Sequence, residues 1–222
     1  STSGHSNYSG TVAGTAVSTY LSDIKVSNAV LNNVGRFSGG ITGTSTYGTR
    51  MKNIEVSGFS LHSASFDSSS VGYHGGVIGS IDEKVWLTNV SVINTDLNNG
   101  EFALGGLVGS SRNVKVENAY TEVLINGTND ATYCAGGVGF VSKNSSDYHH
   151  AWFKDSFFIS RINCGDTVLA SGGDPKVFGI ANRNTPYYNA ASVYEGNVFW
   201  FNDPGDSANL CYDLSSGLSF YG

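Results

Sequence analysis

The chain is poor in charge. Only 14% of its 222 residues are Asp, Glu, Lys or Arg, against a usual ~25%. Lys and Arg together number 12 and the net charge is −6, which argues against nucleic acid as a partner, since that needs a basic footprint. Proline is scarce, at 3 beside 29 glycines, so the chain is neither collagen nor a proline-rich linker. No run of ~18 apolar residues occurs, which predicts no membrane insertion; clusters such as residues 198–201 (VFWF) are strand-sized. The chain begins Ser-Thr-Ser-Gly-His-Ser, with no Met and no charged-then-apolar leader, and reads as a piece of something longer. Three cysteines, Cys134, Cys164 and Cys211, make an odd count without Cys-x-x-Cys, which rules out the usual zinc and redox spacings. One disulfide and buried free thiols both remain open, with Cys164–Cys211 the pairing to test first. No amphipathic helix pattern, Gly-x-Ser-x-Gly elbow, phosphate loop or His-Glu-x-x-His is present.

What the chain does have is repetition. Gly-Gly-apolar-x-Gly occurs at Gly39–Gly43, Gly75–Gly79 and Gly105–Gly109, with a weaker copy at Gly136–Gly139. Decayed copies stand at Gly10–Gly14 and Lys176–Gly179. The first glycines are 29, 36, 30 and 31 residues apart. After each copy comes a segment alternating apolar and polar residues, such as Ile24–Leu31, Ile54–Leu61, Val90–Leu97, Val114–Val123, Trp152–Ile159 and Val193–Phe201. These read as strands. Asn28, Gly58, Asn94, Asn118, Asp155 and Gly196 recur in their middles, as residue types that tolerate a left-handed corner.

Units of about 30 residues that cannot bury their own apolar faces must stack. The expected fold is all-β, a single parallel β-solenoid over residues 1–222, of the right-handed β-helix kind. Its six rungs fall near residues 8–34, 35–71, 72–100, 101–130, 131–170 and 171–222. The apolar residue between the glycines should form an interior ladder, and the glycines should allow a bend and close backbone approach. A β-sandwich with Gly-rich turns is the weaker alternative. Surplus residues in rungs two, five and six (61–74, 142–152 and 182–194) are expected to bulge outward as loops, where function concentrates.

Gly106-Leu107-Val108-Gly109, the near copy Gly76-Val77-Ile78-Gly79, the downstream Val116–Val123 and the closing Asn197–Gly217 resemble the GLUG-motif family. That resemblance implies a repeat region of a large exported bacterial protein, such as a surface adhesin or a non-catalytic part of an immunoglobulin A peptidase. It implies no catalytic residues.

Individual residues were weighed for chemistry. Asn94-Thr95-Asp96 looks like the start of a polygalacturonase signature, but no pair of close carboxylates follows, so the triplet reads as a corner. Asp203 and Asp206 suit calcium or, better, a plain turn. His149 and His150 are adjacent, and neighbours on a strand point opposite ways, so they read as loop decoration rather than a metal pair. No metal and no cofactor is expected. Thr42, Thr44 and Thr46 suggest an ice-binding ladder that Ile78, Ser80 and Asp82 break one rung later. Exposed aromatic rings stack on sugars, and the candidates for such contact are Tyr148, His149, His150 and Trp152, then Tyr187 and Tyr188, then Tyr73 and His74.

The expected function is a non-catalytic binding domain of an exported adhesin or fibre, extracellular or on the bacterial surface. It would contact a glycan or protein on another cell through its loops. A solenoid's ends need capping by neighbouring domains or self-association, such as a trimeric fibre. The alternatives are a passive spacer or accessory domain of a large secreted protease, and a polysaccharide-degrading β-helix enzyme.

Overall fold

The computed structural model of the chain describes residues 7–63, 72–100, 102–127, 133–141, 150–164, 177–178, 181–183, 192–202 and 210–213. Among them every regular element is a β-strand. The first sheet joins β1 (Tyr8–Gly10), β5 (Phe37–Gly39), β9 (Tyr73–Gly75), β12 (Ala103–Gly105), β15 (Tyr133–Ala135) and β18 (Val177–Phe178), in that order. The second joins β2 (Ala13–Val17), β6 (Thr42–Thr46), β10 (Ile78–Ile81), β13 (Val108–Ser111), β16 (Val138–Val141) and β19 (Ala181–Arg183). The third is built from longer strands: β3 (Tyr20–Ser27), β7 (Arg50–Ser57), β11 (Val85–Gly100), β14 (Asn113–Gly127), β17 (His150–Cys164) and β20 (Ser192–Asn202), closed by β21 (Leu210–Asp213). Two short strands, β4 (Val30–Val34) and β8 (Ser60–Ser63), continue it beside the second half of β11.

The chain therefore visits the three sheets in one cyclic order, and each strand lies beside its counterpart from the previous repeat. These pairings are parallel, and only β20 with β21 is antiparallel. A sandwich of meanders would show the opposite proportion. The fold is all-β with open parallel sheets, an arrangement compatible with a β-helix.

Stacking in register turns each sequence position into a file running across the strands. The interior files are apolar. Leu21, Met51, Leu87, Val116 and Phe153 form one, and Ile24, Ile54, Val90 and Ala119 another. Leu31, Leu61, Leu97, Ile125 and Ile162 form a third. From the second repeat to the fourth their members are almost wholly buried. Full burial of one such side chain contributes roughly 1.5–3 kcal/mol, so these files hold the sheets together. Ile41, Val77 and Leu107, between the glycines, are completely buried as expected.

The glycines act through space rather than through conformation. Among the described glycines, only Gly48 and Gly58 have positive φ, so the motif does not need the left-handed region. A Cβ at Gly79 would overlap the backbone of Phe37 and Ser38 in the first sheet. One at Gly75 would overlap the Ile78 carbonyl oxygen and the Gly109 nitrogen in the second sheet. The outer glycines thus let two sheets meet backbone to backbone. The middle glycine, Gly76, faces the Gly106 carbonyl of the next repeat and Val92 Cγ1 of the third sheet. Register also corrects the fourth copy. Gly105 pairs with Ala135 and Val108 with Val138, so the repeat slips by one and its step is 30 residues.

Corners of the third sheet form two files, which the sequence reading merged into one. Asn28, Gly58 and Asn94 share one corner, all with positive φ. Asp23, Asn53, Asn89, Asn118, Asp155 and Asn197 share the other, again with positive φ. Gly196 is not a corner residue; Asn197 takes that place. In the second file Asn53 donates its Nδ2–H to Asp23 Oδ1 at 2.8 Å, Asn89 to Asn53 at 3.0 Å and Asn118 to Asn89 at 3.1 Å. Asn197 donates to Asp155 at 2.9 Å. Asn and Asp tolerate the left-handed region and carry an amide or carboxylate that bonds the same residue one strand away. Glycine satisfies only the first requirement.

Cys134 is fully buried and disulfide-bonded. Of the two open alternatives, free thiols or one disulfide, the disulfide holds at Cys134, which the first pairing to test had left out.

Candidate functional site

Of the expected site residues, the side chains of Trp152, Tyr73 and His74 are described. Tyr148, His149, Tyr187 and Tyr188 lie outside the described residues, as do Asp203 and Asp206. His150 opens β17, but its side chain is likewise not described. Trp152, two residues on, stands outward and is 42% exposed.

Tyr73 and His74 belong to the first sheet, away from Trp152. Alternation along β9 sends their side chains to opposite faces. Tyr73 is half-buried, stacked on Phe37 with ring centroids 5.5 Å apart and edge-on to Phe102 at 5.3 Å. Burial pushes its phenol pKa up. His74 is not on a loop. It is wholly buried, in register between Ser38 and Leu104, and neither ring nitrogen has a hydrogen-bond partner. Loss of hydration pulls its pKa down to about 4. It is a neutral core residue, unable to meet an external ligand. A three-residue strand shows too little alternation for its sequence to reveal which side faces in.

The other motifs resolve into architecture. Asn94 is a corner with φ 49°, and Thr95 is buried with its hydroxyl donating to the Ile93 carbonyl at 3.2 Å. Asp96, Glu122 and Arg161 rim an open groove beside them. Thr42, Thr44 and Thr46 are buried rather than displayed, with Thr42 sharing a hydrogen bond with Ser45 at 2.8 Å. Among the described residues no three His, Cys, Asp or Glu side chains gather as a metal site.

What the structure does bring together lies on the outer face of the third sheet. Trp152 of β17 pairs in register with Lys115 of β14, Lys115 with Trp86 of β11, Trp86 with Arg50 of β7, and Arg50 with Tyr20 of β3. The next residue on each strand belongs to the buried Leu21–Phe153 file, which fixes the outward direction of this one. Arg50 Cζ sits 4.8 Å from the Trp86 ring centroid and Lys84 Nζ sits 4.9 Å from it. Lys115 Nζ lies 5.1 Å from the Trp152 ring and 3.0 Å from Glu117 Oε1. Tyr20, Arg50, Lys52, Trp86 and Thr88 line a shallow depression at one end of the file. Apart from Trp152, sequence reading missed this set. The available signal was positional: each member stands one residue before the interior apolar position filled by Leu21, Met51, Leu87, Val116 and Phe153.

Such a face can bind by stacking and ion pairing. Compared with known proteins, the chain matches no protein-family model, no curated protein and no solved structure.

Proposed function

We propose that the chain is a non-catalytic binding domain of an exported bacterial adhesin or fibre, built as a right-handed β-solenoid of six rungs akin to GLUG-repeat proteins. It contacts a glycan or protein on another cell surface. The observation that carries this reading is the regular outward file on the third sheet, where in-register stacking displays Trp152 and Trp86 on a rigid scaffold with cations between aromatic rings. A disulfide at Cys134 supports an oxidising, extracellular setting. Low charge and the buried polar and apolar files suit a stiff rod.

The experiment is a glycan array of the purified domain with a parallel light-scattering mass. Saturable binding that Trp152→Ala, Tyr148→Ala or Tyr187→Ala abolishes is the expected result. A blank array, with no protein receptor captured on whole cells, would overturn it.

One observation favours the spacer reading instead. Among the described strands, β1, β2 and β3 each stand last in their sheets, and Tyr8, Val12, Val17, Tyr20 and Val30 are exposed there. A neighbouring domain or a second copy seated on that end would bury them, and a spacer needs no ligand beyond that.

A further inference from the structure

We propose that the outer face of the third sheet binds an acidic polysaccharide laid across the strands, along the file Tyr20–Arg50–Trp86–Lys115–Trp152. This rests on the adhesin reading above and names its ligand class and its site.

The first argument is spacing. From β3 to β17 the aromatic members stand on every second strand, with a cation on each strand between; on β20 the file ends with Tyr194, in register with Trp152. Neighbouring strands are ~4.8 Å apart, so like members repeat at roughly 10 Å. One strand spacing is close to one sugar in an extended polysaccharide, and two match a disaccharide. A polymer in which neutral and carboxylated sugars alternate would place an apolar ring face against each aromatic side chain and a carboxylate against each cation. The sheet's own geometry supplies the register, so no loop has to be ordered on binding.

Charge supplies the second argument. The whole chain carries 12 Lys and Arg and a net charge of −6. Yet Arg50, Lys84 and Lys115 all lie against the two tryptophans of this one file. Lys52 and Lys154 occupy the next outward file, at the positions in register with Thr88 and Glu117. Glu117 pairs with Lys115 at 3.0 Å and Asp155 lies 3.8 Å from Lys154, so the positive surplus centres on Arg50, Lys52 and Lys84, and there it selects for an anionic partner.

Local geometry is the third. Trp86 is held between Arg50 and Lys84, while Trp152 has Lys115 on it and remains 42% exposed. Cations thus lie against both rings, Lys115 also pairing with Glu117 at 3.0 Å. Guanidinium presents several N–H donors in a planar fork that matches a carboxylate.

The test uses the full 222-residue chain and isothermal titration with four probes: hyaluronate, in which carboxylated and neutral sugars alternate; polygalacturonate, carboxylated at every sugar; neutral dextran; and oligo-dT. Hyaluronate should bind most tightly per sugar and weaken as salt rises. Trp152→Ala should cost about tenfold in affinity, the usual scale for losing one stacking platform. The double variant Arg50→Gln/Lys115→Gln should cost at least as much and flatten the salt dependence. Circular dichroism confirms that each variant is folded; if Trp86→Ala is not, Trp152→Ala and the charge variant carry the test. No binding to either acidic polysaccharide overturns the proposal, and so does unchanged affinity in both variants. Equal binding of polygalacturonate removes the spacing argument and overturns the disaccharide match. Equal binding of oligo-dT shows a general polyanion strip and overturns the polysaccharide assignment. A neutral glycan hit on the array, or a protein receptor captured on whole cells, lost in Tyr148→Ala alone, sinks this proposal while leaving the adhesin reading standing; a blank array with no receptor captured sinks both.

Discussion

Among the aromatic strips of the described residues, one on the first sheet and one on the third use in-register stacking to opposite ends; another on the third sheet, Tyr120, Phe157 and Phe199, sets ring against ring like the first. On the first sheet ring follows ring. Tyr8 stacks on Phe37 at 5.2 Å and Phe37 on Tyr73 at 5.5 Å, nearly parallel in both cases. Register then places Ala103 where a ring is due, and Phe102, one residue earlier, fills the gap edge-on to Tyr73 and Tyr133. In the third-sheet file of Trp86 and Trp152, rings and cations alternate from Tyr20 to Trp152, where Tyr194 follows in register; Arg50 and Lys115 lie over the two tryptophan rings. Rings that stack on rings satisfy one another and become half-buried, each pair contributing ~0.5–1.5 kcal/mol beyond its area. Rings that alternate with cations keep charge at the surface, and an exposed pair of that kind contributes only ~0.5–1 kcal/mol. One strip serves mainly stability; the other remains available to a ligand.

Both strips depend on the glycine files that keep successive repeats aligned, so the largest expected effect comes from breaking those. Gly106→Val would drive a Cβ into the Gly136 carbonyl and against Val123 Cγ2. The first obstacle is backbone and cannot rotate away. The cost should exceed about 4 kcal/mol, seen as loss of a cooperative urea transition, with both strips disappearing together. A cooperative transition within 1 kcal/mol of the parent would mean, on the same scale, that the repeats are not clamped there.

The second largest effect separates the strips by pH. His74 lies behind the first strip with its pKa lowered to about 4 by burial. Between its unfolded value near 6.5 and about 4, the unfolded chain binds a proton that the folded chain refuses. Stability attributable to this residue is therefore complete above pH ~6.5 and falls as pH drops to ~4, by on the order of 3 kcal/mol. Its register neighbours, Ser38 and Leu104, carry no charge to offset the proton. His74→Leu should remove that part of the acid sensitivity without weakening the fold at pH 8. An unchanged slope of stability against pH between 6.5 and 4 in that variant would contradict the assignment.

How much of this was legible beforehand differs by file. The glycine repeat was visible because close backbone contacts favour glycine, so the same letters recur at most copies. The fourth copy misled by one position because Ala135 stands where glycine was sought. The two corner files were merged because Asn is acceptable in both, and only their hydrogen bonds distinguish Asn118 from Asn28. His74 was taken for a loop residue because it follows an insert and sits in a strand of three. The third-sheet file was invisible for a different reason. Its chemistry alternates from repeat to repeat, so Arg50, Trp86 and Lys115 share a position without sharing a residue type, and comparison of repeats discards them as noise.

A middle-sized effect should come from Phe37→Ala, which deletes a half-buried ring and both of its stacks. About 2 kcal/mol is expected from lost area and ring contacts, read as a lower urea midpoint, with no change in affinity for any third-sheet ligand. A loss of binding equal to that of Trp152→Ala would show that the two strips are coupled through the sheets rather than independent.

The smallest effect on stability is the most informative about function. Trp152 is 42% exposed and Lys115 lies against its ring. Trp152→Ala removes that cation–π contact and some exposed area, so the urea midpoint should shift by no more than about 1 kcal/mol. Lys115→Gln should shift it still less, since Glu117 loses only a surface ion pair, worth ~0–1 kcal/mol. If the third-sheet strip existed for stability, these two substitutions would resemble Phe37→Ala in size. If it exists for a ligand, they should leave the fold nearly untouched while binding falls. The ratio of the two losses, binding against stability, should therefore be high at Trp152 and low at Phe37. A single set of melts and titrations on the two variants decides whether the alternation of ring and cation is a contact surface or only a variant way of packing a sheet.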